Sequence, residues 1–239
     1  MSYLKLLLIR HAESVGNVQK KMEGQSSTAL SKRGYEQSQQ LSEALSSSSD
    51  LPTHLYSSPL LRARQTTEAI AHSLTQAGHT FIYKETDALK EIHAGIFQSL
   101  TWAQAEAKYP ELCAQLMNSM TWQPVPKAET PAMARSRAKA WLKHVLSVHA
   151  AGDVVWCVSH EGFLQHLVSV VMGCDRTWQI RMAHTAIFEF WLACPDLPSL
   201  PASTALPASS ISQREFLQAN YLNNEFWIIR RFNDTQHLS

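Results

Sequence analysis

An arginine and a histidine stand side by side where an apolar run stops, in the stretch Leu6-Leu-Leu-Ile-Arg-His-Ala-Glu-Ser-Val-Gly-Asn17. A neutral imidazole can attack an electrophile, and a guanidinium offers a rigid donor fork that suits an anion. Three other positions could complete such chemistry. His160 follows a second apolar run, Val-Val-Trp-Cys-Val-Ser159. Arg62 lies in the first turn of a helical segment that opens at Ser58-Pro59, and helix amino ends attract anions. Glu91, in Ala-Leu-Lys-Glu-Ile-His-Ala-Gly95, is a loop carboxyl that can donate a proton if its surroundings keep it neutral. Taken singly, each has a plain reading: strand-end charge, structural histidine, helix-surface arginine, solvated acid. Together, two arginines, two histidines and a glutamate fall at junctions expected on one side of a sheet.

Those junctions come from alternation along the chain. Strand-like runs at 3–9, 53–56, 80–84, 154–159, 186–192 and 226–232 are rich in aliphatic, β-branched or aromatic residues. Helical patterns lie between most of them, at 32–46, 59–76, 101–108, 131–149 and 162–172. Ser58-Pro59 and Thr130-Pro131 each put a capping residue before a proline at the first helical position. The alternation predicts an α/β fold, a three-layer α/β/α sandwich with a mostly parallel central sheet, as one domain over residues 1–239. Ligands of such sheets bind at the carboxyl ends of strands. If the strands ending at Ile9 and Ser159 are neighbours, both imidazoles face one crevice. Residues 109–129 read as a small cap excursion over one end of the sheet. The proline- and serine-rich stretch 194–212 reads as an extended surface loop.

The bulk properties narrow the partners. A formal net charge of +1 over 239 residues gives no broad basic field, so neither nucleic acid nor an anionic membrane is expected as a partner. The four cysteines, Cys113, Cys157, Cys174 and Cys194, make no C-x-x-C pair and read as reduced thiols. No signal-peptide pattern and no apolar run near ~20 residues is present, and a cytoplasmic location is the expectation. The eleven histidines raise zinc as a rival chemistry, but neither H-E-x-x-H spacing nor clustered Cys/His ligands support it, so no metal and no cofactor is expected. The expected partner is a small phosphorylated substrate, and a homodimer is left open.

The motifs resemble the histidine phosphatase superfamily, the phosphoglycerate-mutase-like proteins. The family pattern R-H-G-E-S/T corresponds to Arg10-His11-Ala12-Glu13-Ser14, and S-P-L-x-R-A-x-Q-T matches Ser58 to Thr66. L-x-E-x-x-x-G-x-W/F matches Leu89, Glu91, Gly95 and Phe97, and S-H-G-G aligns with Ser159-His160-Glu161-Gly162. The resemblance runs over nearly the whole chain. It implies His11 as the nucleophile that becomes a phosphohistidine, with Arg10, Arg62 and His160 around the phosphoryl oxygens. It implies Glu91 as the proton donor to the leaving alcohol and activator of water. Asn17 and Gln25 align with substrate-contacting positions, while Glu13 is expected to orient the turn. His184 stands where many relatives have asparagine, and a structural role weighs as much as a catalytic one. His166 is assigned to packing.

Two family glycines are replaced. Ala12 adds a methyl group. Glu161, placed with the substrate-binding positions, adds a carboxylate that repels an anion unless it meets a cation. The excursion at 109–129 contains one basic residue, Lys127, which favours a phosphatase that admits water over a mutase that excludes it. The sequence thus predicts a metal-independent phosphomonoesterase. The alternatives are a cofactor-dependent phosphoglycerate mutase and a non-catalytic member that binds a phospho-ligand or a protein. Apolar residues of the excursion (Leu112, Leu116, Met117, Met120, Trp122) hint weakly at a hydrophobic leaving group.

Overall fold

The computed structural model describes residues 2–120, 123–194 and 226–239; beyond Cys194, the loop expected at 194–212 lies outside them, as does Trp122. The first strand, β1 (Ser2–Arg10), carries an unbroken apolar run because both of its faces are covered. Leu4, Leu6 and Leu8 enter one core, and Leu7 and Ile9 enter another, as the two-residue period of a strand requires. The chain then forms α1 (Val15–Val18), α2 (Lys32–Ser46), β2 (His54–Ser57), α3 (Leu61–Gln76) and β3 (Ile82–Glu85). It continues through α4 (Trp102–Lys108), α5 (Pro110–Asn118), α6 (Pro131–Val148), β4 (Val154–Ser159) and α7 (Glu161–Val171). Two last strands follow, β5 (Ile187–Cys194) and β6 (Trp227–Asp234).

The sheet order is β3-β2-β4-β1-β5-β6. β3, β2, β4 and β1 are mutually parallel, β5 runs against β1, and β6 runs against β5 and so along the parallel set; the mostly parallel reading holds. Leu41, Leu45, Ala63, Ile70 and Leu74 from α2 and α3 cover one face. Ala138, Trp141, Leu142, Val145, Phe163, Leu164 and Leu167 from α6 and α7 cover the other. A satellite core around Phe97, Ala105 and Cys113 packs α4 and α5 as the cap. Leu112 and Leu116 are spent on that packing, whereas Met117 and Met120 are exposed.

Most boundaries differ from the sequence reading by one or two residues. The main correction concerns Ser58-Pro59: α3 starts at Leu61, with Leu60 in the capping position and no side-chain cap of its own. Ser58 Oγ lies against His160, and Ser27 Oγ accepts from the Leu61 N–H instead. Thr130 caps α6 as expected. His166 is buried and its Nδ1 lies 2.8 Å from Thr177 Oγ1, in keeping with packing.

Register sets the functional edge. Arg10 pairs with Ser159 across β1 and β4, and Ser57 pairs with Val158 across β2 and β4. The residues that follow, His11, His160 and Ser58, therefore leave three adjacent strands at one level. The turn after His11 is pinned to α2: Ser31, the helix cap, donates from its Oγ to Glu13 Oε1 and from its backbone to Glu13 O. Glu13 thus orients the turn. This contact needs Gly34, because a Cβ there would lie 2.0 Å from the Glu13 carbonyl oxygen. Gly34→Ala is expected to destabilise the fold by about 1–3 kcal/mol, read as a lowered urea midpoint at unchanged m-value.

Candidate active site

Three strand ends and two loops converge on a cleft of about 320 Å³ lined by Arg10, His11, Asn17, Lys21, Glu23, Arg62, Glu91 and Glu161 among others. The His11 backbone N–H donates to Ser159 O, and the Ala12 N–H donates to Thr66 Oγ1. The His11 ring is fixed at both nitrogens. Nδ1 lies 2.6 Å from Ala12 O, which can only accept, so Nδ1 carries the proton. Nε2, the unprotonated nitrogen, accepts from Arg62 Nε at 3.2 Å. Burial, Arg62 and Arg10 hold this imidazole well below the usual histidine range, hence neutral at neutral pH.

Arg62 is 1% exposed. Its terminal nitrogens donate to Ser26 O at 2.7 Å and Gly24 O at 2.9 Å, so the loop after α1 aims the guanidinium. Glu23 Oε2 stands 3.7 Å from Arg62 Nε. Arg10 donates to Met182 O and pairs with Glu161 Oε2 at 3.1 Å, while its buried Nε has no partner among the described residues. That pair answers the question raised by the replaced glycine: the Glu161 carboxylate meets a cation. Ala12 is fully buried and its methyl group is accommodated. His160 is also fully buried; its Nε2 lies 2.8 Å from Ser58 Oγ, its Nδ1 has no hydrogen-bond partner, and its ring centroid is 4.9 Å from that of His11. Burial, then Arg62, keeps His160 well below the usual range.

Glu91 is carried by the loop after β3. Ser159 Oγ donates to Leu89 O, and Gln25 Nε2 donates to Glu91 O at 3.0 Å. The carboxylate accepts the Gly162 and Phe163 N–H groups at the start of α7 and the Ile92 N–H. Burial raises its pKa above the ordinary value, and these donors and Arg62 offset the rise only in part.

Of the eight candidates, His11, Glu91, Arg10, Arg62, Asn17 and Glu161 line the cleft, and His160 lies fully buried beside His11. Gln25 is the exception. Its side chain is turned onto the Glu91 backbone and lies in an adjoining surface depression. Asn17 accepts from the Ser14 backbone and donates to Glu23 Oε2, and its Oδ1 lies 3.1 Å from His184 Nε2. Burial pushes His184 down to about 4, so it faces Asn17 as a neutral imidazole. The apolar lining comes from Met22, Ile92 and Ala94, not from the excursion residues suggested by the sequence. Glu23, Lys21 and Ser58 escaped as site residues. No motif marks Lys21 or Glu23, and Ser58 reads as a helix cap.

The description of the histidine phosphatase superfamily (branch 1) matches residues 6–192. Phosphoserine phosphatase 1 of Hydrogenobacter thermophilus is 31% identical over 175 residues, covering 72% of this chain and 78% of its own. A probable phosphoglycerate mutase of Proteus mirabilis is 26% identical over 236 residues, 99% of this chain and 95% of its own. The mycobacterial glucosyl-3-phosphoglycerate phosphatase shares the fold at a TM-score of 0.70 and 20% identity, over 98% of this chain and 100% of its own.

Gly162 allows Glu91 its position, since a Cβ there would lie 2.7 Å from Glu91 Oε1. The neighbour is a side-chain end and can move, so the cost falls on carboxyl placement. Gly162→Ala is expected to lower kcat on a phosphate monoester by ~10-fold or more while shifting Tm little, since small misplacements of reacting groups cost rate steeply.

Proposed function

The chain belongs to the histidine phosphatase superfamily, branch 1, and from that premise we propose that it hydrolyses a small phosphate monoester through a phosphohistidine on His11, without a metal. The observation that carries this reading is the fixed ring of His11, with Nδ1–H on Ala12 O and the Nε2 lone pair beside Arg62. In the first step Nε2 gives up the Arg62 Nε–H hydrogen bond and bonds to phosphorus; the ester oxygen leaves, taking the Glu91 proton to become an alcohol. Water then attacks phosphorus and gives a proton back to Glu91; the P–N bond breaks and His11 returns to its starting form. Arg10, Arg62 and His160 stabilise the charge on the equatorial oxygens. Two guanidiniums supply the positive charge that a metal would otherwise bring.

The reaction asks for a neutral imidazole and a protonated carboxyl at once. In water these demands conflict, because the first needs pH above about 6.5 and the second below about 4.3. Burial in the cleft lowers the histidine and raises the glutamate, so the two requirements move toward a common range.

A second reading, a phosphoglycerate mutase, is favoured by the near full-length Proteus relative and its name. The single basic residue of the excursion, Lys127, weighs against it. Assay of 3-phosphoglycerate with a bisphosphate primer separates the two: phosphate release outrunning isomerisation is expected, and the reverse would favour the mutase.

Turnover of p-nitrophenyl phosphate is expected to survive EDTA and to vanish in His11→Ala; full activity in that variant overturns the assignment. Glu91→Gln is expected to cost ~100-fold or more on an alkyl phosphate and much less on p-nitrophenyl phosphate, whose leaving group needs no proton. The alkaline fall in kcat/KM reports deprotonation of Glu91 and should be absent in Glu91→Gln. Substrate ionisation is common to both enzymes and cancels in the comparison.

A further inference from the structure

A second group of potential ligands lies at the far end of the sheet, where β2 and β4 begin. His54 is the first residue of β2, His149 caps the end of α6, and Asp153 precedes β4. One potential ligand atom from each lies within 4.8 Å of the others. We propose that His54, His149 and Asp153 form a site for a divalent transition-metal ion, best suited to zinc, that ties the starts of two central strands to the end of α6.

The donor set suits the ion: two imidazoles and one carboxylate match borderline metals better than calcium or magnesium. His149 is 1% exposed, and its Nδ1, which has no hydrogen-bond partner among the described residues, lies 3.4 Å from Asp153 Oδ2. A tetrahedral shell holds its donor atoms about 3.3 Å apart, so this pair is already at ligand spacing. The surroundings resemble an orienting outer shell. His149 Nε2 lies 3.0 Å from Tyr56 Oη, so a proton placed there leaves the Nδ1 lone pair facing Asp153. Asp153 Oδ2 accepts the Ala150 N–H at 3.0 Å, and Thr53 Oγ1 stands 3.0 Å from His54 Nδ1 and 3.4 Å from Asp153 Oδ1. His54 and Asp153 are half-buried, which gives an entry path and room for water as a fourth ligand.

The site is separate from the cleft. From His54 to Ser58 is four residues, about 13 Å of strand, and from Asp153 to His160 is seven, about 23 Å. An ion here would brace the fold and take no part in phosphoryl transfer, so chelation is compatible with turnover.

The test uses the EDTA-treated, dialysed full chain titrated with zinc chloride, read by bound-zinc stoichiometry and thermal midpoint. One equivalent is expected, with Tm raised by about 5–10 °C at a hundredfold excess over Kd. Asp153→Asn and His54→Gln, both at half-exposed positions, should weaken binding by ~10-fold or more and cut the shift at the same zinc concentration to about half or less, as should His149→Ala where it folds. His11→Ala should bind zinc as the parent does. Absence of binding overturns the proposal, as does binding kept in Asp153→Asn and His54→Gln but lost in His11→Ala, which would put the ion in the cleft.

Discussion

Two guanidinium groups held out of water in one crevice are the constraint around which this protein is arranged. Arg10 and Arg62 are nearly buried, and burial alone lowers the affinity of each for its proton. An unpaired buried charge would cost several kcal/mol, so each arginine is given partners from a different part of the chain. Glu161 and Met182 O serve Arg10; Glu23, Gly24 O and Ser26 O serve Arg62. Neither set is complete: Arg10 Nε is left without a partner among the described residues, and Arg62 Nε spends its proton on the lone pair of His11. On the proposed reading, the phosphoryl oxygens take up what remains.

The sheet and the loops divide this work. Parallel register across β2, β4 and β1 sets the backbone level of Ser58, His160 and His11, which is a property of buried strands and hard to shift. The loops supply the counter-charges. Glu91 shows both contributions, since Ser159 at the end of β4 holds the Leu89 carbonyl while the start of α7 holds the carboxylate. The same helix start that orients the acid also presents Glu161 to Arg10.

Much of this was legible in the residues. Apolar runs ending in charge located β1 and β4, and an arginine near a helix start located Arg62. Periodicity gave α2 and α6, and Thr130-Pro131 marked the start of α6, whereas the Ser31 cap of α2 is seen only in the structure. Other features depend on who sits beside whom in space, which local patterns do not carry. Ser58 looked like a cap because Ser-Pro opens many helices, yet its hydroxyl is claimed by His160 and Ser27 serves the helix from 34 residues away. Glu23 belongs to no motif of the sequence, yet Ser14, Thr28 and Asn17 bind it inside. Glu161 looked repulsive until its neighbour Arg10 was known. Histidines without sequence clustering likewise gave no sign that His54, His149 and Asp153 would meet.

The central place of β1 has a consequence for synthesis. Leu6 pairs with Val155 on one side and with Phe190 on the other. The ribosome makes this strand before its flanking strands, which follow only after some 150 further residues, roughly ten seconds or more at ordinary elongation speeds. During that interval Leu-Leu-Leu-Ile has no native sheet partner on either edge, and pairing so distant in sequence is intrinsically slow. The segment that later holds His11 rigid is thus an adhesive stretch of the nascent chain, and its safe passage falls to whatever shields apolar chains as they emerge.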